Sequence, residues 1–149
     1  AKEADAAGIV LRKGSKQASP DISCHAEGCL VVWDNEQAGA LAAYIPHNQS
    51  QALWHQEFDS GGQRPAVARS QHNEWAVAYF SDDRLRLLPA NNYGVGQPSI
   101  ISRVSGFQPR PALIAENNSN SWLMAWRDFE AGHREIFVAR AQCVREEKE

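Results

Sequence analysis

The chain has 149 residues, 43% of them hydrophobic and 22% charged, a composition and length that suit one globular domain with a buried core. Its 15 basic and 18 acidic side chains leave a formal net charge of −3, which argues against nucleic acid, a partner that needs clustered positive charge. No apolar run approaches the ~18 residues of a membrane helix.

Taken in chain order, the first strand-like segment is Gly8-Ile9-Val10-Leu11-Arg12-Lys13. A second begins after Pro20 and covers Asp21 to Cys24. Cys24 and Cys29 then bracket His25-Ala26-Glu27-Gly28, a tight turn between two strands. A hairpin disulfide fits that spacing and would imply an oxidising compartment. The competing readings are free thiols, or a zinc site using Cys24, His25 and Cys29. Structural zinc wants four well-spaced ligands, and no second Cys/His pair stands at suitable spacing. Cys143 is left over.

The run Leu30-Val31-Val32-Trp33 is too continuous to have one wet face, so it reads as a strand buried on both sides. Gly39 to Ile45 and Ala52 to Phe58 supply two more strands. The same order then returns. Ala66 to Arg69 follows Pro65, Trp75 to Tyr79 follows a polar turn, and Arg84 to Leu88 and Ser99 to Val104 complete the set. It returns again with Ala112 to Ala115 after Pro111, the run ending at Trp126, and Arg134 to Ala141.

Three landmarks keep this register. Pro20, Pro65 and Pro111 are spaced by 45 and 46 residues. Trp33, Tyr79 and Trp126 are spaced by 46 and 47, and Gln17, Gln63 and Gln108 by 46 and 45. The repeats span 19–64, 65–110 and 111–142, and the third lacks a fourth strand. Ile9, Trp54 and Ile100 each stand 11 residues before a proline of the series. The segment 8–13 therefore occupies a fourth-strand slot.

Four antiparallel strands per unit of ~45 residues is the arithmetic of a β-propeller blade. The expectation is a single all-β domain over 1–149: three four-stranded blades, with the N-terminal strand completing the last blade. Three blades do not close a ring alone. That predicts self-association into a six-bladed ring, each leading strand finishing a partner's third blade, or association with further blades.

The pattern of proline, short strand, polar turn, Leu-Val-Val-Trp-Asp or Leu-Met-Ala-Trp-Arg-Asp, and Ile-Phe-Val-Ala-Arg resembles the blade repeats of bacterial secreted β-propeller proteins. The resemblance covers about residues 8–142. It implies a secreted or periplasmic location, and often a cysteine pair across the first turn, as at Cys24 and Cys29. It is specific for fold and weak for function. Neither the WD40 Gly-His…Trp-Asp signature nor the sialidase Ser-x-Asp-x-Gly-x-x-Trp box occurs.

For chemistry, there is no Gly-x-Ser-x-Gly, no His-Glu-x-x-His, no phosphate-cradling glycine loop and no EF-hand loop. No metal or cofactor is expected. Asp34, Asp82, Asp83 and Asp128 follow the second strands. Such carboxylates could pair for glycoside hydrolysis, or could simply end strands as turn residues. Trp75, Trp122, Trp54 and Tyr93 are the candidate ligand-stacking aromatics, with core packing the simpler role for Trp75 and Trp122. The leading expectation is a non-catalytic binding or assembly module, lectin-like or protein-interacting. The alternatives are a propeller-type glycoside hydrolase and a structural subunit of a larger extracellular assembly.

Overall fold

The computed structural model describes residues 11, 12, 14, 16–70, 74–105, 109–116, 121–130 and 133–142. These residues form strands and connecting turns, with no helix among them. Strands β1 (Gln17–Cys24), β2 (Gly28–Asn35), β3 (Gly39–Pro46) and β4 (Trp54–Asp59) make a four-stranded antiparallel sheet in sequence order. Strands β5 (Gln63–Arg69), β6 (Trp75–Ser81) and β7 (Arg84–Asn91) begin a second sheet. Its fourth position is split between β8 (Gly94–Val95) and β9 (Ser99–Arg103), which both pair with β7. Strands β10 (Ala112–Ala115), β11 (Ser121–Glu130) and β12 (His133–Gln142) make the third sheet. Neighbouring strands pair by short antiparallel connections, so each sheet is a meander.

The three sheets stack face to face because their central strands are apolar on both sides. Leu30, Val32, Ala42 and Tyr44 of the first sheet pack against Trp75, Val77, Tyr79 and Leu88 of the second. The opposite face of the second sheet, with Ala76, Ala78, Phe80 and Leu85, packs against Trp122, Met124 and Trp126 of the third. Trp33, Leu41 and Ala43 form a smaller cluster on the far face of the first sheet. Strand β5 lies against both β1 and β10, so the three inner strands run side by side along one line.

Two inner strands start earlier than the prolines suggest. β1 pairs Gln17 with Asn35 and Ala18 with Asp34, slips, and resumes at Asp21 with Val32. β5 slips in the same way between Gln63 and Ala66. Proline has no N–H to give the ladder, and a bulge is where a strand accommodates it. The bulges place Ser19 and Arg64 at φ 53° and 52°, a left-handed conformation that strains residues with a Cβ.

The segment 8–13 falls largely outside the described residues. Leu11 packs with the Trp33 cluster of the first sheet, and Arg12 pairs with Glu57 at 2.7 Å. Cys24 and Cys29 are joined by a disulfide, while Cys143 lies outside the described residues. The disulfide is compatible with an extracellular location. No described helix is long and apolar enough to cross a membrane.

Candidate functional site

The ends at which β1 and β5 begin form a cavity of about 380 Å³. Asp34, Glu36, Lys16 and Arg64 line it, with Ser19 and Gln63. Local chemistry builds each wall. Asn35 ends β2, and its side-chain oxygen accepts the N–H groups of Gln37 (2.8 Å) and Ala38 (2.9 Å), which turns the chain sharply. Gly39 completes the turn at φ 75°, and a Cβ there would collide with the Asp59 carbonyl. Glu36 N–H donates to the Lys16 carbonyl at 3.3 Å, holding the entry to β1 beside this turn.

Asp34 has a second role. Its Oδ2 accepts the Arg64 N–H at 2.7 Å, which fixes the strained start of β5 to the end of β2. Ser60, Gly61 and Gly62 form the third wall, a turn held by Asp59: its carboxylate accepts from the Gly61 N–H and the Ser81 hydroxyl, and its carbonyl accepts the Gly62 N–H. Two carboxylates and two cations thus face one concave site. Sequence reasoning identified Asp34 and passed over Glu36, Lys16 and Arg64. They come from separate segments, and no contiguous motif marks them.

A second cavity, of about 570 Å³, lies along the inner strands. Ser23 and His25, then Arg69 and Ser70, then Ile114 and Glu116 line it from the three sheets. His25 is buried. Its Nδ1 accepts the Glu27 N–H (2.9 Å), so the ring proton sits on Nε2 and is donated to Asn92 Oδ1 (3.0 Å). The ring lies 4.3 Å from Trp75, centroid to centroid. Glu116 is held below the usual glutamate range, chiefly by its hydrogen bond from Arg140 and further by the Ser121 hydroxyl.

The other three candidate aspartates lie outside this cavity. Asp82 and Asp83 occupy the β6–β7 turn at φ 50° and 55°. Asp128 lies within β11 and accepts from Ser105 N–H, Ser105 hydroxyl and Phe129 N–H. Burial alone would raise its pKa, but these three donors outweigh burial and hold it below the ordinary value.

The aromatic candidates divide. Trp75 is fully buried, and its Nε1 donates to the Ser23 carbonyl at 3.0 Å. Trp122 is 2% exposed between the second and third sheets. Neither ring presents a face for ligand stacking, because Trp75 is enclosed in the core between the first and second sheets and Trp122 in that between the second and third. Trp54 is partly buried and donates to the Asn92 carbonyl at 2.6 Å. Tyr93, 91% exposed at the β7–β8 turn, stands open to solvent. Among the described residues, no group of three His, Cys, Asp or Glu side chains is placed to hold a metal ion.

No family model matches the chain, and no curated protein matches it in sequence. In structure it resembles the catalytic domain of the GH62 α-L-arabinofuranosidase of Coprinopsis cinerea, with TM-score 0.59 and 14% identity over 88% of this chain and 49% of that one. It also resembles the α-L-arabinofuranosidase PaAbf62A of Podospora anserina, solved with cellotriose, with TM-score 0.58, 16% identity and coverage of 89% and 48%. A GH43 glycoside hydrolase engineered for endo-xylanase and exo-arabinofuranosidase activity aligns at TM-score 0.57 and 10% identity, over 86% of this chain and 27% of that one. The chain spans about half the length of the two GH62 proteins.

These likenesses define a propeller-type all-β fold. They also correct the expectation of a non-catalytic binding or assembly module and the expectation that the chain is no enzyme. The folds matched are those of glycoside hydrolases.

Proposed function

We propose that this chain forms part of a propeller-type glycoside hydrolase acting outside the cell on an arabinofuranosyl- or xylan-type glycan, with Asp34 and Glu36 as its paired carboxylates. The observation that carries this reading is the cavity where β1 and β5 begin, which gathers two carboxylates beside Lys16 and Arg64. The glycoside hydrolase likeness supports it.

Glycoside hydrolysis needs one carboxyl to protonate the leaving oxygen and another to act as base or nucleophile, about 5–10 Å apart. Asp34 in β2 and Glu36, the first residue of the turn that follows it, both line the one cavity. The Arg64 N–H holds one oxygen of Asp34 and leaves the other for the base or nucleophile role. Glu36, exposed at the rim, serves as the acid. Lys16 and Arg64 offer donors to sugar hydroxyls.

The test is turnover of an aryl α-L-arabinofuranoside and of xylan by the purified chain. Asp34→Asn and Glu36→Gln should each reduce kcat by about 10²–10⁴-fold, with circular dichroism unchanged. Absence of turnover on both substrates, or turnover indifferent to both substitutions, would overturn the assignment.

A further inference from the structure

We propose that Asn48 is an acceptor for an N-linked glycan. The inference rests on one loop and on the compartment in which disulfides form, and it does not depend on the proposed activity.

Asn48-Gln49-Ser50 is an asparagine, a residue other than proline, and a serine. That is the triplet at which secreted chains receive sugar on the asparagine amide. The same triplet recurs at Asn117-Asn118-Ser119, which lies outside the described residues. Disulfides form in oxidising compartments such as the secretory lumen, where such sugars are also attached, and Cys24–Cys29 is one.

The loop that carries Asn48 joins β3 to β4. It is pinned at its base, where His47 N–H donates to the Glu27 carbonyl and Leu53 N–H to the Tyr44 carbonyl, each at 2.8 Å. Its tip is open: Asn48, Gln49, Ser50 and Gln51 are all exposed. This is the exposure of a loop tip, not of a sheet face that a neighbouring sheet would cover. Asn48 stands there at φ 63°, a left-handed conformation that asparagine adopts more readily than most residues with a Cβ.

The amide itself is unengaged. Asn35 accepts from Gln37 and Ala38, Asn91 accepts from Tyr93, and Asn92 is bonded at both ends to His25 and Glu27. Of the four described asparagines, only Asn48 makes no side-chain hydrogen bond among the described residues. Its Nδ2 would form a bond to the anomeric carbon of the sugar. That carbon's bond to the diphosphate of a polyisoprenyl diphosphate-linked donor would break, the amide would give up one proton, and the polyisoprenyl diphosphate would leave. The Ser50 hydroxyl is the group that the triplet requires beside the amide.

The position also suits a bulky group. β2 and β3 pair from Gly28 with Pro46 at one end to Asn35 with Gly39 at the other. The loop after Pro46 therefore stands at the end of the first sheet opposite the cavity of Asp34 and Glu36, and a glycan there leaves that cavity open. Leu53 of the same loop is 59% exposed, apolar surface that a solubilising sugar chain would shield.

The full chain, secreted from a eukaryotic host, should be heavier than its 16.5 kDa polypeptide, and peptide N-glycosidase should remove the excess. That enzyme leaves aspartate where it strips an asparagine, so peptide mass spectrometry should read the conversion at Asn48. Asn48→Gln and Ser50→Ala should each abolish sugar on that peptide, and Ser50→Thr should keep it, all with β circular dichroism unchanged. A secreted chain whose Asn48 peptide is bare overturns the inference. So does sugar confined to Asn117, or sugar at Asn48 that survives Ser50→Ala.

Discussion

The backbone N–H of Arg64 donates to Asp34 Oδ2 at 2.7 Å, joining two residues 30 positions apart at the seam between the first and second sheets. The bond closes the bulge that lets Pro65 sit within an inner strand. Asp34→Ala would leave that N–H without its acceptor, at a cost of about 1–3 kcal/mol. Asp34→Asn keeps an acceptor oxygen and should cost less. Urea unfolding of the two variants, set beside their turnover, separates the clamp from the chemistry: Asn should keep most of the stability and lose the activity.

Trp75 and Tyr93 should differ sharply on substitution. Trp75→Ala empties a fully buried site and removes the indole donor to the Ser23 carbonyl, for a loss of about 3–5 kcal/mol. Tyr93→Ala at an exposed turn should stay within about 0.5 kcal/mol of the parent. Equal effects in chemical denaturation would contradict the burial described for these rings.

The Cys24–Cys29 disulfide closes a short loop with a sequence separation of 5. Chain-entropy reasoning gives a loop of this size about 2 kcal/mol. A Cys24→Ser/Cys29→Ser variant should lower the urea midpoint accordingly, and a reducing agent should shift the parent but not the variant. A parent indifferent to reductant would mean the crosslink contributes nothing to stability.

Asp128 gives a pH signature. Its folded pKa is depressed by the Ser105 and Phe129 donors in spite of burial. Stability from this group is therefore present above the unfolded aspartate value, near 3.9, and is lost as pH falls through the lower folded value. Asp128→Asn should flatten the acid limb of stability against pH below about pH 4. An unchanged acid limb would show that Asp128 is not a main source of it.

Much of the fold was legible because the same landmarks return in each unit. The prolines locate the inner strands, and the aromatics at Trp33, Tyr79 and Trp126 locate the buried second strands. The starts of β1 and β5 were misjudged, since a left-handed Ser19 or Arg64 leaves no trace in residue type the way a glycine would. The split of the fourth strand into β8 and β9 was missed for a related reason: Gly96-Gln97-Pro98 reads as a turn, and nothing in it says that both flanks pair with β7.

The site was harder to read. Trp75 follows a polar turn, a setting as suitable for a loop aromatic as for a core one, and only the neighbouring Ser23 carbonyl decides between them. Lys16, Asp34, Glu36 and Arg64 meet through two turns and a seam between sheets. Repetition along a chain reports what every unit shares, whereas this cavity belongs to one junction. That is why the expectation of a binding module rested on aromatics, with Asp34 weighed chiefly as a turn residue and Glu36 passed over.

The two internal seams are fastened by different means. Asp21 to Val67 N–H, Trp75 to Ser23, His25 to Asn92 and Arg69 to Cys24 rivet the first sheet to the second. At the next seam the described bonds gather at one clasp, where Ser105 donates to Asp128 and to the Phe129 carbonyl. Removing that clasp with Asp128→Ala should loosen the third sheet while the first two stay together, so its amides should then exchange earliest with solvent deuterium.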